Sequence, residues 1–316
     1  MIEETVQSCC LPAAQPRDIP ATAIPLSPAP ALPAESDRGM IHLAGGSFLM
    51  GSEGPEIWRA DAEGPVREIE VAPFHMDECA VTNARFSAFI EATGYQTEAE
   101  RFGWSYVFYK HLSGANKEKA RGFSGEANWW VGVEGATWRR PEGPGTDIKK
   151  RLDHPVVHVS WNDARAFCEW AGKELPTEAQ WEYAARGGLV QNLYPWGNDL
   201  TPKGKNGKPQ HRCNIWQGKF PTLDTGQDGF TNTAPVKTFL PNAFGLYQMS
   251  GNTWEWCADP FATTPDRQTQ NLSRRVVKGG SFLCHISYCN RYRCSARTGN
   301  TPDSTTSHTG FRCIRP

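Results

Sequence analysis

No stretch of this chain approaches the roughly 20 apolar residues that span a bilayer, so a membrane-spanning helix is not expected. A surplus of positive charge is missing too: the formal net charge is -1 at pH 7. Nucleic-acid binding would be expected to leave a basic excess, and that class is set aside. The opening residues MIEETVQ carry acids and no continuous apolar core, unlike a secretory leader. The expectation is therefore a reducing cytoplasm, where disulfides are rare. Helical periodicity is scarce and vanishes after Gly187. Long irregular segments inside a compact domain are uncommon unless function or a bound ion orders them.

What the sequence does have is 316 residues, enough for a large core, with 12 Trp, 30 Gly, 24 Pro and 10 Cys. That mixture points to a loop-rich fold held by large aromatic anchors rather than a helix bundle. Residues 1–39 are Pro/Ala-rich and read as a mobile extension. Cys9 and Cys10 lie in it and read as an incidental exposed pair, with metal handling as the alternative. Residues 40–316 show no linker and are taken as one domain. MIHLAGGSFLMGS reads as strand, turn and strand, and REIEVAPFHMDECAVT as another strand. GGSFL recurs at Gly279–Leu283, suggesting the same strand-turn solution used twice. Three helices are expected: one capped at Thr82 or Asn83 and stopped by Gly94, one ended by Gly172, and one opened by a Thr177–Gln180 capping box and closed at Gly187.

The segment KGGSFLCHISYCNRYRC separates Cys284 from Cys289 by four residues. Two nearby thiols can form a disulfide, bind a soft ion or act as a reactive pair. Soft sulfur ligands favour Cu(I) and Zn. A structural zinc site takes four ligands, usually as two close pairs, and only one pair is visible here. His285 beside Cys284 can lower a thiol pKa or simply pack. DTGQDGF supplies acids and a turn, suited to a hard cation or to an ordinary Asx-rich turn. HPVVH places His154 and His158 four apart, but the valines suggest a strand. Four strand residues span about 13 Å, so a shared metal ion is not expected. On a strand Arg291 and Arg293 would share one face, and buried pairing with loop acids is favoured over peptide docking.

Taken in order, HPVVHVSWNDARAFCEWAGKELPTEAQWEYAARGG, YPWGN, CNIWQGKFP, DTGQDGF, GLYQMSGNTWEW, GGSFLCHISYCNRYRCSARTGNTPDS and TGFRC resemble the formylglycine-generating enzyme (sulfatase-modifying factor) family from about Met40 to Pro316. GGSF, GNTWEW and GFRC are shared by a broader superfamily. CHISYCNRYRC is more specific, because non-oxidising relatives generally lack the cysteine pair. The resemblance implies an α+β fold with little regular secondary structure, C-type-lectin-like, with long calcium-ordered loops. It implies a copper-dependent oxidase, often monomeric, that converts the cysteine of a Cys-x-Pro-x-Arg segment in a nascent or unfolded sulfatase to Cα-formylglycine. The oxidant would be O2, assisted by a thiol reductant.

By the same resemblance, Cys284 and Cys289 would hold Cu(I), with Ser281, Trp254 and Tyr288 as the other catalytic positions. A first Ca2+ would sit at Asn214, Ile215, Asp228 and Phe230. A second would fall on Gln248, Gly251, Thr253 and Glu255, where Gln248 departs from the family's usual Asn. Cys168 and Cys313 match a bridged pair of secreted members. Cys294 matches another bridged position whose partner here is Ala185, so it is expected to be free. Asn300 and the TPDS loop match the family's peptide groove. Two other readings compete. One is a non-catalytic C-type-lectin-like binding module, which has no need of the cysteine pair. The other is a sulfoxide synthase of the ergothioneine type, which would need a His-rich helical domain that the N-terminal extension does not contain.

Overall fold

The computed structural model describes residues 11–12, 38–118, 120–124, 127–262 and 270–316. The N-terminal extension reading, and Cys9 and Cys10 with it, therefore lie outside the described residues except at Leu11 and Pro12. Five α-helices occur among the described residues: α1 (Asn83–Thr93), α2 (Glu98–Phe102), α3 (Gly114–Glu118), α4 (Trp161–Ala171) and α5 (Glu178–Arg186). Each long helix starts where a side chain can satisfy its first amides and stops where the backbone turns left-handed. Thr82 caps α1 and Gly94 ends it. Ser160 and Asp163 form a reciprocal capping box on α4, which ends at Gly172. Thr177 and Gln180 do the same for α5, which ends at Gly187. These are the three helices the sequence predicts. α2 carries the same signal, a Thr97–Glu100 box, but is too short to show a periodic face.

The strand expectations need correction. Met40–Leu43 and Gly46–Met50 are both strands, but they do not pair with each other. The first lies against Phe74–Asp77, which also pairs with the C-terminal Ile314–Arg315. The second pairs with Arg67–Val71. REIEVAPFHMD is thus two strands broken at Ala72-Pro73, consistent with proline's missing ladder donor. The second GGSFL is no strand at all. Gly279 and Gly280 there take positive φ of 90° and 71°. A Cβ on Gly280 would lie 3.0 Å from the Arg291 carbonyl oxygen and the Tyr292 Cα, so the chain can pass only without a side chain.

A four-stranded sheet positions the site. Its order is Arg297–Asn300, Gln270–Lys278, Trp254–Ala262, Thr309–Gly310. Lys278 pairs with Arg297 and also with Glu255. Residues 279–296 are therefore the connection between two adjacent antiparallel strands, and Trp254 starts the neighbouring strand at the same end of the sheet. A separate three-stranded sheet, built on Trp104–Phe108 and Ala127–Glu134, brings Trp130, Tyr106 and Phe108 into one aromatic cluster with Trp216, Phe282 and Leu283.

His154 and His158 lie on an irregular segment rather than a strand. Their partners differ. His154 meets Thr233, while His158, fully buried, bonds Ser105 and the Pro141 carbonyl. Burial pushes the His158 pKa down to about 4, so the ring is a neutral packing group.

Candidate functional site

The connection 279–296 is anchored by backbone before any side chain acts. Gly251 N–H donates to the Gly279 carbonyl, Phe282 N–H to the Asn252 carbonyl and Trp216 N–H to the Cys284 carbonyl. Within it, Cys284 N–H reaches back to the Ser281 carbonyl and Cys289 N–H to that of His285. These two local turns fold the five-residue step so that the Cys284 and Cys289 Sγ atoms stand 3.2 Å apart. Both thiols are buried, at 1% and 0% exposure. Burial pushes the Cys284 thiol well above its ordinary pKa, and the Cys289 sulfur adds to that rise. Ser281 opposes it with its hydroxyl and with its N–H, 3.4 Å from Cys284 Sγ.

The surroundings are aromatic on one side and ionic on the other. Tyr288 stacks on Phe220 at 3.8 Å between centroids and meets Trp129 edge-on at 5.6 Å. Its hydroxyl donates to the Leu283 carbonyl at 2.6 Å, which fixes the ring beside the cysteines. Trp254 is fully buried, and its indole N–H has no partner among the described residues. Arg291 Nη1 lies 3.9 Å from Cys289 Sγ. Its Nε holds Asp61 at 2.5 Å, and the guanidinium lies over the Trp58 ring. Burial still raises the Asp61 pKa, the more so because Glu63 stands nearby, while Arg291 pulls it back. Arg293 grips Glu63 with two bonds of 2.6 Å, and Arg297 grips Glu178 with bonds of 2.7 and 3.1 Å. Buried pairing with acids, the favoured reading of Arg291 and Arg293, is what the structure contains, and Arg297 pairs likewise with Glu178 at the start of α5. Arg291 and Arg293, however, belong to the loop and not to a strand.

All five expected catalytic positions, Ser281, Cys284, Tyr288, Cys289 and Trp254, therefore lie in this connection or at the start of the strand beside it. Phe220, Trp129, Trp58 and Asp61 had no local sequence signal. They arrive from segments far along the chain, and only the fold brings them here. His285 points elsewhere: its Nδ1 pairs with the Ser287 hydroxyl, and its charged neighbour is Asp224.

Asn214, Ile215, Asp228 and Phe230 are also brought together. Asp228 accepts from the N–H groups of Ile215 and Phe230 and from the Gln217 amide. It is a half-buried carboxylate held by neutral donors, and burial raises its pKa. A carboxylate without a cationic partner suits a hard cation, which would have to displace the N–H groups now on both Asp228 oxygens. The second set differs. Both Glu255 oxygens are committed to Arg312 at 2.7 and 2.8 Å, while Gln248 Oε1 is buried with no partner among the described residues. Among the described residues, no three His, Cys, Asp or Glu side chains converge as a metal cluster.

Of the other cysteines, Cys168 and Cys313 place their sulfurs 3.5 Å apart. Cys294 is a buried free thiol whose pKa burial pushes up to about 12.

Comparison with known proteins follows the same lines. Residues 27–316 match the model of the sulfatase-modifying factor enzyme 1-like domain. The chain is 56% identical over 292 residues to the formylglycine-generating enzyme of Thermomonospora curvata, covering 89% of this chain and 94% of that one. It is 47% identical over 277 residues to a Bos taurus protein named inactive C-alpha-formylglycine-generating enzyme 2, covering 87% of each. Among solved structures, PvdO from Pseudomonas aeruginosa superimposes with a TM-score of 0.59 at 24% identity, over 87% of this chain and 93% of that one. At that identity the likeness speaks for the fold alone.

Proposed function

Since the chain belongs to the sulfatase-modifying factor enzyme 1-like family, we propose that it activates sulfatases by converting a peptidyl cysteine to formylglycine, with Cys284 and Cys289 as a copper-holding pair. Family membership alone is not enough, because a relative named inactive shares nearly half its residues with this chain. The observation that carries the reading is the buried pair itself, two sulfurs 3.2 Å apart in a loop that Ser281 and Arg291 approach with donors.

The donor set fits Cu(I). Two soft thiols suit a soft monovalent ion, and a two-sulfur site leaves a place for a third sulfur from the substrate. Copper bound there supplies one-electron redox capacity for reaction with O2. The chain's own residues do the rest. Binding the metal requires the thiols to lose their protons, and burial opposes that step. The Ser281 donors at Cys284 and the Arg291 guanidinium near Cys289 each favour the thiolate. The Tyr288, Phe220 and Trp129 rings pack into one aromatic group that holds Tyr288 in place. Trp254 keeps an unpartnered indole N–H available for a bound group. Chemically, one O2 and two thiols of a reductant turn a cysteine –CH2–SH into –CHO, with hydrogen sulfide, water and a disulfide as the balancing products. Asn214, Ile215, Asp228 and Phe230 are the residues we assign to Ca2+, which would neutralise Asp228 and order the loop.

The test is Cu(I) titration of the full chain against a colorimetric chelator, with turnover of a Cys-x-Pro-x-Arg peptide followed in parallel. The expected result is one copper per chain and turnover that tracks its loading. Full copper loading without any conversion would leave the non-catalytic binding module as the better account.

A further inference from the structure

Tyr194 and Gly197 exchange backbone hydrogen bonds of 2.9 and 3.1 Å, which fold the segment YPWGN into a tight turn. The turn stacks the Tyr194 ring with that of Trp196, 5.4 Å between centroids and 16° from parallel. Tyr194 also stacks with Tyr292, at 6.1 Å and 20°. Backbone ties the two segments together as well, with Cys294 N–H donating to the Leu193 carbonyl at 2.8 Å. Tyr292 brings this row of rings to the cysteines. It follows Cys289 by three residues, and its Cα lies 3.0 Å from where a Cβ on Gly280 would stand. Burial pushes the Tyr292 phenol pKa up, and the charges of Tyr194, Cys213, Cys284 and Cys289 add to the rise, so the phenol senses both sulfurs. Tyr292 and Tyr194 are 1% and 8% exposed. At the far end Trp196 is half-buried, and Asn198 and Asp199 just beyond it are exposed.

Phenol and indole are, with sulfur, the side chains that most readily give up one electron. Phenylalanine would fill any of these three places and conduct nothing. Two buried cysteines that meet O2 also face a hazard. Oxidising equivalents left unspent carry thiols to sulfinic and sulfonic acids, which thiol reductants do not reverse. We propose that Tyr292, Tyr194 and Trp196 form an electron relay that feeds electrons from a thiol at the surface to the cysteine pair when O2 is reduced there without a peptide to consume it. This deepens the oxidase reading above and rests on it.

Each oxidising equivalent at the pair takes one electron and the hydroxyl proton from Tyr292, leaving a phenoxyl radical, and the oxygen being reduced receives both. Tyr194 refills Tyr292 with an electron and its own hydroxyl proton. Burial pushes the Tyr194 phenol up to about 12, so that proton is present at neutral pH. Trp196 supplies the next electron and solvent the proton. A thiol at the surface returns one electron to Trp196 and releases one proton to solvent, and two such sulfur radicals join as a disulfide. Over a full cycle one O2 and four thiols become two waters and two disulfides, with the three side chains restored.

Two measurements on the full chain test this. In the first, azide radicals made by pulse radiolysis oxidise tryptophans of the metal-free protein, and decay of the indolyl absorption is followed against growth of the phenoxyl absorption. A first-order transfer that loses amplitude in Trp196→Phe and in Tyr194→Phe is expected. The same transfer undiminished in both variants would overturn the relay. In the second, copper-loaded wild type and Tyr194→Phe stand in air with a thiol and no peptide, and mass spectrometry scores Cys284 and Cys289 for sulfinic and sulfonic acid. Tyr194→Phe is expected to accumulate these several-fold faster, with its initial kcat on peptide unchanged. Oxygen uptake with equal cysteine oxidation in the two chains would overturn the proposal and leave the oxidase reading in place. No oxygen uptake by either loaded chain, with or without peptide, would overturn the oxidase reading and the protective role with it.

Discussion

Two cysteine pairs in this molecule have nearly the same geometry and opposite settings. Cys284 and Cys289 stand 3.2 Å apart, Cys168 and Cys313 3.5 Å apart. Both pairs are buried, and burial pushes Cys284 and Cys313 well above the ordinary thiol range. The second pair ties helix α4 to the residue before the last strand, 145 positions away. It sits in the core among Phe86, Phe167 and Phe311, beside an Asp77 already neutralised by Lys173 and Arg85. The first pair lies within one loop, with the Ser281 donors and the Arg291 guanidinium near its sulfurs. Sulfur proximity alone therefore does not mark a reactive site. What separates the pairs is how help reaches the thiolate: Ser281 bonds Cys284 Sγ directly, whereas Arg85 acts on Cys313 through charge alone, with Asp77 opposing it.

The largest expected effect separates the pairs directly. Cys284→Ser or Cys289→Ser should lower peptide turnover on the order of 10³-fold or more, as loss of a group that performs the chemistry does, while the circular dichroism spectrum stays unchanged. Wild-type-like kcat in either variant would put the chemistry elsewhere. Next is the ionic frame under the loop pair. Arg293→Met leaves the Glu63 carboxylate buried without its partner, at about 3–5 kcal/mol. Urea unfolding should show that loss, and adding Glu63→Met should recover most of it. A double variant as unstable as the single one would contradict the pairing argument. Cys168→Ala and Cys313→Ala should each cost about 1–3 kcal/mol of stability as small core truncations and leave kcat within twofold or so of wild type. The smallest effect is expected from Tyr288→Phe. It deletes the hydrogen bond to Leu283 and should lower stability by about 1 kcal/mol, with the Phe220 stack retained. A calorimetric melt unchanged to within a few tenths of a kcal/mol would show that the hydroxyl does not hold the ring.

The two pairs also show how far a sequence can be read. Helix ends were legible because capping is local: Thr82 and Gly94, Gly172, and Thr177 and Gly187 each act within a few residues, as does Ser160, which the reading passed over. Strand pairing was not, because Met40–Leu43 finds partners at Phe74–Asp77, which in turn pairs with Ile314–Arg315, and nothing in those segments names the match. The loop pair was legible from its spacing and its family likeness. The core pair was legible from likeness alone, since 145 intervening positions carry no geometric signal. Residues that give the loop pair its character were hidden for the same reason. Phe220 and Trp129 reach Tyr288, and Asp61 reaches Arg291, only after the sheets and loops have assembled.

One measurement tests the central claim most directly: mass spectrometry of a Cys-x-Pro-x-Arg peptide, trapped with a hydrazine, after incubation in air with copper, a thiol reductant and each of three chains. The chains are wild type, Cys168→Ser/Cys313→Ser and Cys284→Ser/Cys289→Ser. Aldehyde from the first two and none from the third is the predicted result. Aldehyde formed at the wild-type rate by Cys284→Ser/Cys289→Ser would contradict the account.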